Sequence, residues 1–85
     1  MNITFTEIAW KEYLEWQKID KKTLKKINDI LEDISRNGHQ GIGKPEALKH
    51  ELAGLWSRRI TLEHRIIYSI KDEVISIISC RGHYN

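Results

Sequence analysis

Between residues 55 and 80 the chain carries three runs, LWSRRIT, HRIIYSI and VISIISC, separated only by the gaps LE and KDE. Each run is rich in β-branched and aromatic residues, the composition of strands. Connections this short cannot hold a crossover helix, so successive runs must pair antiparallel, as a meander. The second and third runs are apolar on both faces. They read as central strands with a layer of helices over one side, and the first half of the chain has to supply that layer.

It has the right patterns. NITFT alternates Ile3 and Phe5 with polar residues, a half-buried strand, and Thr6 followed by Glu7 marks a helix start. From Glu7 to about Lys18, Trp10, Tyr13, Leu14 and Trp16 make a broad aromatic face. Asp20 offers an N-cap to a second helix, in which Leu24, Ile27, Leu31 and Ile34 recur at steps of three and four before Gly38 ends it. Residues 38–47, GHQGIGKPEA, are expected to be a loop. The loop is not a P-loop, because Lys44 is followed by Pro45 and not by Ser or Thr at a helix start. The expected architecture is α+β: an N-terminal strand and two helices packed on an antiparallel sheet, in one domain spanning residues 1–85.

Composition excludes several classes. Cys80 is the only cysteine, so there is neither an internal disulfide nor a cysteine-based zinc cluster. No apolar run approaches the roughly 20 residues that span a bilayer, and the N-terminus lacks the order of a secretory signal, so the cytoplasm is the expected location. No cofactor is called for. The net charge is only +2, yet four of the five Arg lie beyond residue 57, together with His64 and His83, so an anionic partner is expected on that half.

Four groups of residues could do chemistry. Arg59 and Arg65 fall on adjacent strands and lie side by side if the turn has the right parity; opposed guanidiniums want an anion between them. Alternatively the turn differs, or Glu51 and Glu63 neutralise them. Glu46, stiffened by Pro45 and bracketed by Lys44 and Lys49, is either a loop ion-pair partner or a general base beside phosphate. His83 is either a solvated histidine or a proton carrier at the end of a buried strand. Lys21, Lys22, Lys25 and Lys26 crowd the first turns of the second helix, where the helix dipole disfavours cations, and form either a solvated face or a phosphate-docking patch. A carboxylate, an imidazole, two guanidiniums and the terminal phenol of Tyr84 make an inventory suited to RNA transesterification.

In GKPEALKH, GLWSRRITLEHRIIY and terminal CRGHY, and more loosely in EYLEWQ and DKKTLKKIN, the sequence resembles the YoeB/Txe family of bacterial toxins in the RelE/ParE superfamily. The resemblance covers nearly the whole chain. It implies a microbial-ribonuclease-like, RelE-like fold and a ribosome-dependent endoribonuclease that cuts messenger RNA in the ribosomal A site. It also implies a YefM-like antitoxin as partner, with a homodimer as a further expectation. By this resemblance Glu46 is the general base, His83 the general acid, Arg65 the transition-state clamp with Arg59 assisting, Lys49 a phosphate contact and Tyr84 a substrate-orienting ring. Ribosomal RNA then adds weight to Lys22 and Lys25 as phosphate contacts. Gly82 stands where the family is expected to carry a bulkier residue, and its freedom is expected to loosen the chain before His83. Two rival classes share such features: a non-catalytic inhibitor, as in the gyrase-poisoning branch of the superfamily, and a plain nucleic-acid-binding module. Glu46, Arg65 and His83 together argue against the first.

Overall fold

A computed structural model describes residues 1–82. Strand β1 (Asn2–Phe5) leads into helix α1 (Glu7–Ile19), helix α2 (Lys21–Asn37), a two-residue strand β2 (Glu46–Ala47), a single 3₁₀ turn (His50–Leu52), and strands β3 (Trp56–Arg59), β4 (Arg65–Lys71) and β5 (Val74–Ser79). The strands form one sheet in the order β1-β5-β4-β3-β2. The meander β3-β4-β5 is antiparallel as expected. The sheet as a whole is mixed, because β1 lies parallel to β5, with Ile3 opposite Ile75 and Phe5 opposite Ile77. An edge strand that feeds directly into the covering helix can return to the sheet in this direction.

Thr6 makes that junction. Its N–H donates to the Ile77 carbonyl at 3.0 Å and its hydroxyl to the Ile78 carbonyl at 2.8 Å, while its Oγ1 accepts from Ala9 N–H at 3.0 Å. One residue thus ends β1 and caps α1. Asp20 is the corner between the helices. Its carboxylate accepts from the N–H groups of Lys22 and Thr23 and from the Thr23 hydroxyl, and the Thr23 bonds hold its carboxyl below the ordinary carboxylate value. Gly38 ends α2 with φ +64° and an N–H bonded to the Ile34 carbonyl, a conformation that favours glycine.

The helices cover one face of the sheet. Ile27, Ile30 and Ile34 of α2 pack with Ile66, Tyr68, Ile75 and Ile77 in a continuous core, each apolar side chain contributing about 1.5–3 kcal/mol by burial. The aromatic face of α1 is split: Trp16 is buried, whereas Trp10 is 47% exposed and stacks on Tyr13 beside Phe5. Two features were not expected. Glu46 and Ala47, read as loop, pair with Ser57 and Trp56 and extend the sheet. Arg58 is fully buried on the helix-covered face, ion-paired to Asp33 and donating to the carbonyls of Gly38, Gln40 and Ile42 and to the Tyr68 hydroxyl. That one side chain lashes residues 38–42 across β3. Among the described residues, no helix is long and apolar enough to cross a membrane.

Candidate active site

Side chains alternate across a strand, so register decides which residues share a face. Arg58 opposite Ile66, and Trp56 opposite Tyr68, point to the core. Their neighbours Ser57 opposite Ile67, and Arg59 opposite Arg65, therefore point to the other face, away from the helices. Glu46 is opposite Ser57 and joins them. One face of the sheet thus carries Glu46 on its edge strand and, one step of about 7 Å further along the strands, the opposed pair Arg59 and Arg65.

The approach to Glu46 is stiff. Gly43 and Lys44 both have positive φ, +81° and +50°, and Pro45 follows. Arg59 N–H donates to the Gly43 carbonyl at 2.6 Å, and a Cβ at Gly43 would come within 2.9 Å of the Arg59 carbonyl. Close backbone contact with β3 therefore requires glycine here and sets where the chain enters β2.

Arg65 is aimed by its own turn. One terminal nitrogen, Nη1, donates to the carbonyls of Thr61, Leu62 and His64 at 2.8–3.2 Å. Because the guanidinium is planar, fixing one nitrogen orients the whole fork. Among the described residues neither Arg59 nor Arg65 pairs with a carboxylate, so Glu51 and Glu63 do not neutralise them. A carboxylate and two opposed guanidiniums on one face of the sheet can accept a proton beside a bound oxyanion.

After β5 the chain is gripped from two sides. Helix α1 presents Ala9, Glu12 and Trp16 on one face: Cys80 N–H donates to Glu12 Oε1 at 2.8 Å, Trp16 Nε1 donates to the Cys80 carbonyl at 2.9 Å, and Cys80 Sγ lies 3.6 Å from the Ala9 carbonyl. Burial, with Glu12 adding to it, pushes the Cys80 thiol up to about 12, so it stays protonated. Arg81 turns back to Glu15 at 2.7 Å and lies over the Trp16 ring. From the opposite side, Gly82 N–H donates to His64 Nδ1 at 2.9 Å, and Arg65 N–H donates to the Gly82 carbonyl at 2.8 Å. Gly82 has φ +74°, which explains the glycine, but it is held at both its polar groups and does not loosen the chain at this point.

The other expected residues fall elsewhere. Lys49 is exposed in the extended residue before the 3₁₀ turn, near the sheet edge that carries Glu46. Lys22 and Lys25 are exposed on the outer side of α2, in the helix layer and so beyond the sheet from Glu46 and Arg65; Lys25 is paired with Asp29 at 3.0 Å. His83 and Tyr84 lie outside the described residues. Sequence reasoning counted His64 only toward the basic half and gave it no role of its own, although it stands next to Arg65 in the motif EHR; its ring also meets Trp16 edge-on, with centroids 4.9 Å apart.

The comparisons with known proteins agree on one assignment. Residues 5–84 match the family model described as a YoeB-like toxin of bacterial type II toxin-antitoxin system. The chain is 55% identical to Toxin YoeB of Synechocystis over 84 residues, covering 99% of this chain and 98% of that one. It is 42% identical to a YoeB/ParE toxin from Agrobacterium tumefaciens, with a TM-score of 0.96 over 99% of this chain and all of the other. It is also 52% identical to YoeB of Staphylococcus aureus, over 99% of this chain and 98% of that one. That protein is solved both as a dimer (TM-score 0.93) and in a heterotetrameric YoeB-YefM toxin-antitoxin complex (TM-score 0.92). The chain belongs to the YoeB-like family of type II toxin-antitoxin toxins.

Proposed function

We propose that this toxin is a ribosome-dependent endoribonuclease that cuts messenger RNA in the ribosomal A site. The observation that carries the reading is the strand register that sets Glu46 on the same face, the one away from the helices, as the opposed Arg59 and Arg65. In the reaction Glu46 takes the proton of a ribose 2′-hydroxyl. The oxygen attacks the adjacent phosphorus in line, the O2′–P bond forms, and the P–O5′ bond breaks. His83 gives its proton to the departing 5′ oxygen, leaving a 2′,3′-cyclic phosphate and a 5′-hydroxyl. Arg65, with Arg59 assisting, meets the charge that builds on the phosphoryl oxygens, Lys49 holds a flanking phosphate and Tyr84 orients the substrate. Every proton and charge in this scheme is carried by a side chain, so the reaction is metal-independent.

Two features support His83 as the acid. It follows Gly82 directly in the sequence, and Gly82 is hydrogen-bonded to the backbone of Arg65. The exposed lysines of α2 give a second basic surface, suited to ribosomal RNA. A YefM-like antitoxin is the partner that restrains the activity, as YefM assembles with the S. aureus relative, and the dimer of that relative supports a homodimer here. The site of action is the cytoplasm, where translating ribosomes are. Mapping the 5′ ends of messenger fragments after brief expression tests the reading: cuts should fall at codon-phased positions in translated regions only. Cuts spread over untranslated RNA, or no cuts during growth arrest, would contradict it.

A further inference from the structure

We infer that His64 is a positioning residue of this site, acting through the backbone of Gly82. The inference rests on the proposed reading that the residue after Gly82 supplies the acid. Gly82 N–H can only donate, so His64 Nδ1 must present its lone pair and the ring proton must sit on Nε2. The ring has a second reason to stay where it is, its edge-on contact with Trp16. Trp16 in turn donates to the Cys80 carbonyl, two residues before the anchored glycine. His64 itself is fixed at the turn, because its carbonyl accepts from the N–H groups of Ile60 and Thr61 and from Arg65 Nη1.

The same short turn therefore sets two things at once. It aims the Arg65 fork, through the carbonyls of Thr61, Leu62 and His64. Through the His64 ring and Arg65 N–H it also sets where the chain leaves β5. The Arg65 fork and the anchor of Gly82 are thereby built on one short turn. A Cβ at Gly82 would meet nothing within 4 Å, so space is not what favours glycine. The left-handed conformation needed to present the N–H to His64 is what favours it.

The test uses three variants of the full chain. H64N places its amide oxygen where Nδ1 stands; H64F keeps a ring against Trp16 but has no acceptor; H64Q carries its acceptor at the position of Nε2, and covers the case in which H64F fails to fold. In amide hydrogen exchange, Gly82 N–H should be protected in the wild type and in H64N and exposed in H64F and H64Q. On programmed ribosomes, single-turnover cleavage by H64F and H64Q should fall roughly 100-fold, the scale expected when a reacting group is misplaced by about 1 Å. H64N should recover most of that loss, and ribosome affinity should stay within about twofold of wild type for all three, since none removes a phosphate contact. The inference is overturned if Gly82 exchanges alike in all four proteins, or if H64N cleaves as poorly as H64F. If the exchange pattern holds while even the wild type is inert on ribosomes, the anchor stands and it is the proposed reaction that fails.

Discussion

Arg59 and Arg65 stand directly opposite one another across the β3–β4 pair, on the face of the sheet that the helices leave open. Like charges in this arrangement cost some tenths of a kcal/mol in the free protein and become favourable once an anion lies between them. R59A is therefore expected to leave the melting temperature unchanged or slightly raised while slowing cleavage about tenfold. R65A should slow it 10²–10³-fold, roughly the loss of one preorganised transition-state donor. R65K should not restore the rate, because an ammonium lacks the fork that Thr61, Leu62 and His64 orient. Parallel melting curves and single-turnover rates check both halves, and equal rates for R65K and wild type would remove the fork from the mechanism.

The pair of buried Arg58 with half-buried Asp33 ties acid stability to one carboxylate. Hydrogen bonding from Arg58, ahead of that from Asn37 and Ile42 N–H, holds the Asp33 carboxyl below its ordinary value of 3.8 despite its burial. A depressed folded-state value means that the stabilisation is complete above the unfolded value and is lost as pH falls through the folded one. Stability should therefore drop on acidification below about pH 4. D33N leaves Arg58 buried without its counter-charge and should cost about 3–5 kcal/mol at neutral pH, with that acid dependence removed. Denaturant melts from pH 7 to pH 3 distinguish this from a surface pair, for which D33N would cost under about 1 kcal/mol.

The lysines of α2 should not be equal. Lys25 is already paired with Asp29, whereas among the described residues Lys22 pairs with no carboxylate. K22E is expected to weaken ribosome binding more than K25E and to flatten its salt dependence by about one unit of slope, as for one lost phosphate contact. Filter binding across a salt series measures this. Unchanged affinity in both variants would make the patch a solvated face.

The helices and the meander were legible because each is written in local periodicity: steps of three and four from Leu24 to Ile34 and alternation across residues 55–80. The facing of Arg59 toward Arg65 was one of two readings, and the register across the turn decides for it. The direction of β1 was not legible, since parallel pairing of Phe5 with Ile77 depends on where α1 folds back. Nor was β2: a two-residue edge strand has no period, and it is defined by its pairing with β3, flanked by the bonds Arg59 N–H to Gly43 and Leu48 N–H to Leu55. Arg58 and Arg59 are the same residue type in adjacent positions, and strand alternation alone sends one into the core and the other to the open face. Sequence reasoning singled out Arg59 and gave Arg58 no role, because the partner of Arg58, Asp33, is 25 residues away. The anchoring of Gly82 by His64 and Arg65 is likewise a contact between distant segments, invisible to spacing.

Under the proposed function, Glu46 acts beside Arg59 and Arg65 as the base in a transesterification on ribosome-bound message. The most direct test is single-turnover cleavage of a defined messenger on purified programmed ribosomes, by wild type and E46Q, with end-group analysis of the fragments. Wild type should cut in the A-site codon, leaving a 2′,3′-cyclic phosphate and a 5′-hydroxyl, and should be far slower on the same RNA without ribosomes. E46Q, an isosteric change at an exposed edge, should keep its stability within about 0.5 kcal/mol and its ribosome affinity, and lose 10²–10⁴-fold in rate, roughly the contribution of a general base. Fragments ending in a 5′-phosphate, or an E46Q rate equal to that of wild type, would contradict it.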